Sequence, residues 1–214
     1  MKIKSFSDFF YLVITTVLIR LIVRSCGRVY IKGADNIPLE GGVIIAVNHT
    51  SYLDPPLIGT VTPRRATFMA RKGLFSIPLL GWVIKHYAFP VDRAKTLPST
   101  IKEAVRRLKN GELLVIFPEG RRSETGELTE GKRGVGMVAA LSKAVVVPAF
   151  ISGTDKMLPV GAKWLKRADI LVMFGRPLDF HITNSRDEDL HISITQKIMT
   201  AIGELKKSYA DNSG

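Results

Sequence analysis

Apolar residues in this chain fall into short unbroken runs more than into alternating patterns. Residues 43–47, 113–117 and 145–151 are the clearest of these. A strand with apolar side chains throughout has no face left for water, so it belongs inside a parallel sheet covered on both sides. Shorter stretches at 29–32, 66–70, 87–91 and 170–174 complete a set of predicted strands. Helical signatures lie between them, at residues 55–60, 75–85 and 134–142, with an amphipathic terminal helix over 187–209. Thr100-Ile101-Lys102-Glu103 matches a capping box, and Asn110-Gly111 supplies a stop. The helix between them is predicted to be basic on its outer face, through Lys102, Arg106 and Lys109. Strands alternating with helices predict an α/β fold, a largely parallel mixed sheet flanked by helices.

The N-terminus departs from this pattern. Asp8 and Arg20 bracket eleven uncharged residues, 9–19, and residues 21–23 carry the apolar run past Arg20. As a helix the uncharged part covers about 16 Å, against about 30 Å of bilayer hydrocarbon, so it does not span. No small-residue cleavage site follows, which argues against a signal peptide. Lys2, Lys4, Arg20, Arg24 and Arg28 flank the segment. Apolar helix and basic flanks together suit an anchor lying in the interface of an anionic leaflet. The other reading is a first helix packed on the core. The anchor reading divides the chain into a helical membrane anchor, residues 1–28, and a catalytic domain, residues 29–214. It places the protein on the membrane, monotopic, at the cytoplasmic face.

Composition narrows the function classes. With 214 residues, 46% of them hydrophobic, the chain builds a sizeable core. A formal charge of +12 implies an anionic partner: nucleic acid, anionic lipid or a phosphorylated substrate. The basic residues are spread along the chain without a binding motif of interleaved aromatics, which disfavours nucleic acid. The single cysteine, Cys26, excludes an internal disulfide and a cysteine metal cluster, and fits a reducing cytoplasm. The four histidines, His49, His86, His181 and His191, do not pair at ligand spacing, so no metal is expected.

Candidate chemistry sits at four strand ends. After the run 43–47 comes Asn48-His49-Thr50-Ser51-Tyr52-Leu53-Asp54, a titratable base with a carboxylate five positions on. A histidine oriented by a carboxylate is the minimal general-base unit. Each half has a plainer reading: His49 as a satisfied core residue, Asp54-Pro55 as a helix N-cap followed by proline. The second end is Phe89-Pro90-Val91-Asp92-Arg93. The third is Phe117-Pro118-Glu119-Gly120-Arg121-Arg122-Ser123, where glycine permits close backbone approach and two arginines can fork onto phosphate oxygens. The fourth is Val147-Pro148, where proline fits a strand edge or a bulge.

Taken together and in this order, the four blocks resemble the signatures of the glycerolipid acyltransferases, the family of 1-acyl-sn-glycerol-3-phosphate acyltransferase. The resemblance covers about residues 30–180, and the apolar start is similar to the helical start of bacterial members. It implies that His49 is the general base and Asp54 its partner. It places Arg93, Glu119, Gly120 and Arg122 at the acceptor site, with the arginines on a glycerol phosphate. A basic residue of the family after the third strand falls at Ala70-Arg71-Lys72, which nominates Arg71. Two positions depart from the family pattern: Arg121, where bacterial members often carry threonine, and Gly73, where many carry glutamate.

The resemblance further implies an O-acyltransferase that moves a fatty acyl group from acyl-CoA or acyl carrier protein to lysophosphatidic acid, without a cofactor. Other acceptors in the same family are glycerol 3-phosphate and other lysophospholipids. A non-catalytic lipid-binding membrane protein would share the anchor and charge but would not need His49, Asp54 and Glu119 together. Ser51 beside His49 invites a covalent acyl-enzyme, but no Gly-x-Ser-x-Gly elbow surrounds it, and the family analogy favours direct transfer. Ser51 is therefore grouped with the substrate-binding residues. Asn48 and Gly120 are the nominated donors for a tetrahedral oxyanion.

Overall fold

The computed structural model describes residues 12–91, 98–180 and 187–211. Its strands are β1 (Val29–Lys32), β2 (Val43–Val47), β3 (Ala66–Arg71), β4 (Ala88–Val91), β5 (Leu113–Ile116), β6 (Val145–Ser152) and β7 (Ile170–Phe174). Its helices are α1 (Arg20–Cys26), α2 (Asp54–Val61), α3 (Leu80–Ile84), α4 (Pro98–Lys109), α5 (Gly134–Ser142), α6 (Thr154–Met157) and α7 (Glu188–Asp211). A π-helical stretch, Leu12–Ile19, runs into α1, and 3-10 turns occupy Ala34–Asn36 and Lys72–Ser76.

One sheet holds the strands in the order β1-β7-β6-β2-β5-β3-β4. From β6 to β4 the neighbours are parallel. β7 pairs antiparallel with β6 and carries β1 parallel to itself at the edge. All side chains of β2 and β5 are buried, as their unbroken apolar runs require. Val43, Ile45 and Val47 point into one core with Leu57 and Ile58 of α2 and Val23 of α1. Ile44 and Ala46 point into a second core under α4, α5 and α7. Each buried Val, Leu or Ile side chain contributes about 1.5–3 kcal/mol.

Pro148 sits on β6, an interior strand, between β2 and β7. It is accommodated by a bulge in the segment opposite. Pro148 O accepts from Gly175 N–H, while Val146 pairs with Leu178. Two residues along β6 therefore face three along its partner, and the ladder is interrupted where proline has no donor.

Two sequence expectations are corrected. Residues 75–85 do not form one helix, because Pro78 drives Ile77 into extended backbone (φ −80°, ψ 121°) and Leu79 adopts φ 61°. Only Leu80–Ile84 is helical there. The capping box at Thr100 is not used either. Helix α4 starts two residues earlier at Pro98, whose fixed φ suits a first helical position. Glu103, inside the helix, bonds Arg106 at 2.7 Å and Arg107 at 2.7 Å. The hydrogen bond from Arg106, more than the one from Arg107, holds its carboxyl below the usual range.

The N-terminal helix has two sides. Val23 is buried, with Ile19 and Cys26 packed on the same core. Val17, Leu18, Leu21 and Ile22 are exposed. Among the described residues no helix is long and apolar enough to cross a membrane.

Helices α5 and α7 pack closely because α5 is built from small residues. A Cβ at Gly136 would lie 2.0 Å from His191 O, and Gly136 N–H donates to Thr195 Oγ1 at 3.2 Å. Alanine is the better helix former by about 1 kcal/mol. Gly136→Ala should nevertheless destabilise the fold by about 1–3 kcal/mol, because the two backbones must separate; a urea unfolding midpoint below wild type is the expected reading.

Candidate active site

The parallel strands bring their carboxyl-terminal ends to one rim. β2 leads into α2 on one face of the sheet, and β5 leads towards α5 on the other. Neighbouring strands whose connections part to opposite faces leave a crevice between their ends, the usual ligand position in open α/β sheets. His49 follows β2 and Glu119 follows β5, so both stand at that crevice.

His49 is held on every side. Its Nδ1 lies 2.8 Å from Asp54 Oδ2, and both residues are buried, Asp54 completely. Its ring stacks on Phe117, centroid to centroid 4.1 Å at 26°. Its N–H donates to Glu119 Oε1 (3.1 Å), and its carbonyl accepts from Ser123 N–H (2.7 Å). With the carboxylate on Nδ1, the proton of the neutral ring resides there, and Nε2 is left as the nitrogen that can accept another.

Asp54 opens α2 but does not cap it, since Pro55 and Pro56 remove two donors of the first turn. Its carboxylate turns back instead. Oδ2 accepts from Thr50 N–H (2.7 Å) and Ser51 N–H (2.8 Å) as well as from His49. Oδ1 accepts from Thr154 Oγ1 of α6 at 2.5 Å. Thr50 Oγ1 lies 3.2 Å from the same threonine hydroxyl. Buried charge is thus met by four donors, which keeps its cost low.

Glu119 is a second buried staple. Its Oε2 accepts from Thr129 N–H (3.0 Å) and Thr129 Oγ1 (2.9 Å), while Oε1 holds His49. Both oxygens therefore bind protein. Gly120 has φ 69°, and its N–H donates to Phe117 O across the turn. A Cβ there would lie 2.8 Å from Lys132 Cδ, so the lysine stem runs across this glycine. Arg122 stacks on Tyr52, with its guanidinium carbon 3.6 Å from the ring centroid. That stack fixes the plane of the guanidinium and leaves its N–H edge for a ligand.

The remaining predicted residues divide. Arg71 ends β3 on the same rim and is exposed. Arg93 lies outside the described residues. Ser51 is fully buried, donating to Leu158 O at 3.1 Å and accepting from Leu53 N–H at 3.3 Å, so its oxygen secures the loop. The nominated oxyanion donors are also occupied. The Asn48 side-chain amide donates to Ile151 O (3.0 Å) and accepts from its N–H (2.8 Å), extending the β2–β6 pairing by a side chain. Gly120 N–H serves its own turn. Arg121 and Gly73, the two departures from the family pattern, are exposed. Among the described residues no group of three His, Cys, Asp or Glu side chains is placed to hold a metal.

Beside Phe117 lies a cavity of about 130 Å³. Met69, Val91, Ile116 and Val138 make its wall apolar, with Pro118, Gly120 and Lys132 at the rim end. Ile101, Lys132 and Gly134 continue it into a groove of about 560 Å³ between α4 and α5. Sequence reasoning missed Thr154, Thr129 and Lys132. They stand in segments with no motif of their own, and only the fold brings Thr154 to Asp54 across 100 positions.

Residues 28–152 match the family described as Acyltransferase. The chain is similar to a 1-acyl-sn-glycerol-3-phosphate acyltransferase of Bacillus subtilis (strain 168), 34% identical over 162 residues, 75% of this chain and 78% of that one. It is 30% identical over 156 residues to the chloroplastic 1-acyl-sn-glycerol-3-phosphate acyltransferase LPAT1 of Arabidopsis thaliana, covering 71% of this chain but only 44% of the plant protein. The crystal structure of the 1-acyl-sn-glycerophosphate (LPA) acyltransferase PlsC from Thermotoga maritima matches with a TM-score of 0.74 at 26% identity, over 94% of this chain and 79% of that one.

The bonding around Asp54 sets an order of losses. Asp54→Ala strands three buried donors besides the imidazole and should cost about 3–5 kcal/mol. Thr154→Val removes one of four and should cost about 1–3 kcal/mol. Urea unfolding of both variants beside wild type checks the order.

Proposed function

The chain belongs to the acyltransferase family, and from that membership we propose that it transfers a fatty acyl group from an acyl thioester to the free hydroxyl of 1-acyl-sn-glycerol 3-phosphate, giving phosphatidic acid for phospholipid synthesis. The observation that carries this reading is the buried His49–Asp54 pair, its imidazole stacked on the Phe117 ring that lines an apolar cavity, with Arg71 and Arg122 at the same strand ends.

In this mechanism the acceptor hydroxyl oxygen attacks the thioester carbonyl carbon while His49 Nε2 takes its proton. Positioned base catalysis of this kind contributes about 10² to 10⁴ in rate. Asp54 keeps the proton on Nδ1 and stabilises the imidazolium that forms. When the tetrahedral intermediate collapses, the C–S bond breaks and His49 returns its proton to the leaving thiolate. No covalent enzyme intermediate is needed, and the commitment of Ser51 Oγ to Leu158 O supports direct transfer. Glu119 acts through His49 as a positioning residue, by tying its backbone to the loop that carries Gly120 and Arg122. Arg122, pre-oriented on Tyr52, binds the acceptor phosphate with Arg71 and Arg93. The apolar cavity behind Phe117 takes acyl methylenes, with Lys132 at its polar end.

The exposed stripe of the N-terminal helix, Val17, Leu18, Leu21 and Ile22, supports a monotopic attachment to the cytoplasmic face of the membrane, where the acceptor resides. The donor is acyl-CoA or acyl carrier protein, both acidic and both suited to a chain of charge +12.

Labelled acyl-CoA and acyl carrier protein, each assayed with lysophosphatidic acid, glycerol 3-phosphate and other lysophospholipids, test the reading. The fastest transfer should go to lysophosphatidic acid. Liposome binding without transfer to any acceptor would identify a lipid-binding protein instead. His49→Ala should stay folded by circular dichroism and lose about 10² to 10⁴ in kcat. Arg122→Ala should raise KM for the phosphorylated acceptor more than it lowers kcat. An acyl group trapped on Ser51 would replace direct transfer with a covalent route.

A further inference from the structure

The groove between α4 and α5 has an apolar floor and a basic edge. Ile101 and Val105 of α4 and Met137 and Leu141 of α5 form the floor. Lys102, Lys109 and Lys132 stand exposed along the edges. Among the described residues no carboxylate pairs with any of these three lysines. The arginines nearby differ. Arg106 and Arg107 hold Glu103, and Arg133, which also lines the groove, holds Glu188 at 2.6 Å. The unpaired positive charge of this region is therefore gathered at the groove.

Shape and placement specify the occupant. The lining runs from Pro98 to Lys109, the whole 12 residues of α4, or about 18 Å. An apolar strip of that length edged with lysines is complementary to an amphipathic helix with an acidic polar face. No aromatic side chain lines the groove, so an adenine ring would find nothing there to stack on. Helices α4 and α5 cover the sheet face opposite the N-terminal helix, whose Val23 packs in the other core. A water-soluble partner therefore approaches from the side away from that helix. The groove also meets the site, since Ile101, Lys132 and Gly134 line both it and the cavity beside Phe117.

We propose that the groove between α4 and α5 is the docking surface for acyl carrier protein, seating the acidic helix from which the phosphopantetheine arm extends. The inference rests on the proposed reaction. With acyl methylenes in the cavity beside Phe117, the body of the donor stands at the Lys132 end of that cavity, where the groove begins.

The test titrates fluorophore-labelled acyl carrier protein with the full chain and reads binding by anisotropy. Wild type should bind, more weakly as salt rises. Lys102→Glu/Lys109→Glu should weaken binding by about tenfold or more, and Val105→Glu should weaken it through the floor. Lys163→Glu/Lys166→Glu reverses as many exposed charges in the connection between β6 and β7, and should bind as wild type. Circular dichroism checks that each variant is folded. In the transfer assay the groove variants should raise KM for the acylated carrier and leave transfer from acyl-CoA unchanged. Wild type that does not bind the carrier overturns the docking, as do groove variants that bind like wild type. An equal loss in Lys163→Glu/Lys166→Glu overturns it as well, and so does an equal loss of transfer from acyl-CoA. Carrier binding that depends on the groove, with no transfer from either donor, would refute the proposed reaction alone. Transfer from acyl-CoA without carrier binding would refute the docking alone.

Discussion

The carboxylate of Asp54 is the point on which the site is assembled. It has no exposure to water, and its two oxygens accept from His49, Thr50, Ser51 and Thr154. Those donors come from the loop after β2 and from α6, which follows β6. One buried charge therefore fixes the imidazole, folds the loop between strand and helix, and ties two neighbouring strand ends together. A neutral residue could fill the space, but no neutral side chain offers four acceptor positions in so small a volume.

Glu119 repeats the device from the next strand. It joins the His49 backbone to Thr129, and Ser123 closes the contact through the His49 carbonyl. The loop after β2 is thus held from β6 on one side and β5 on the other. Both sides exist because the sheet is parallel there, so successive strands deliver their ends to one rim. The apolar runs that demand a doubly covered sheet are, for that reason, also what gathers the chemistry. Phe117 joins the two, since it stacks with His49 and also lines the apolar cavity.

Much of this arrangement is legible in the amino-acid sequence. The runs at 43–47 and 113–117 required interior strands, and they are the two centre strands that flank the crevice. Local chemistry was misread where a stronger local rule applied. Pro78 and the left-handed Leu79 broke the expected helix, and Pro98 started α4 ahead of the capping box. Asp54-Pro55 had the sequence of a helix cap, yet its carboxylate faces the loop before it, because Pro55 and Pro56 have no N–H and Leu57 N–H bonds Leu53 O. Asn48 and Gly120 were reasonable oxyanion donors by position, but the Asn48 amide bonds Ile151 O of β6, which only the folded chain supplies, and Gly120 N–H bonds Phe117 O in its own turn.

What the amino-acid sequence determined by itself is therefore whatever depends on near neighbours: strand and helix periods, the base and carboxylate five positions apart, the glycine turn with its arginines, and the apolar start with basic flanks. Tertiary structure decided everything that depends on distance along the chain. It set Thr154 on Asp54 and Thr129 on Glu119, and laid Arg122 over Tyr52. The physical reason is that hydrogen bonds and stacking act over a few ångströms of space, and only the order of strands in the sheet decides which residues come within that range.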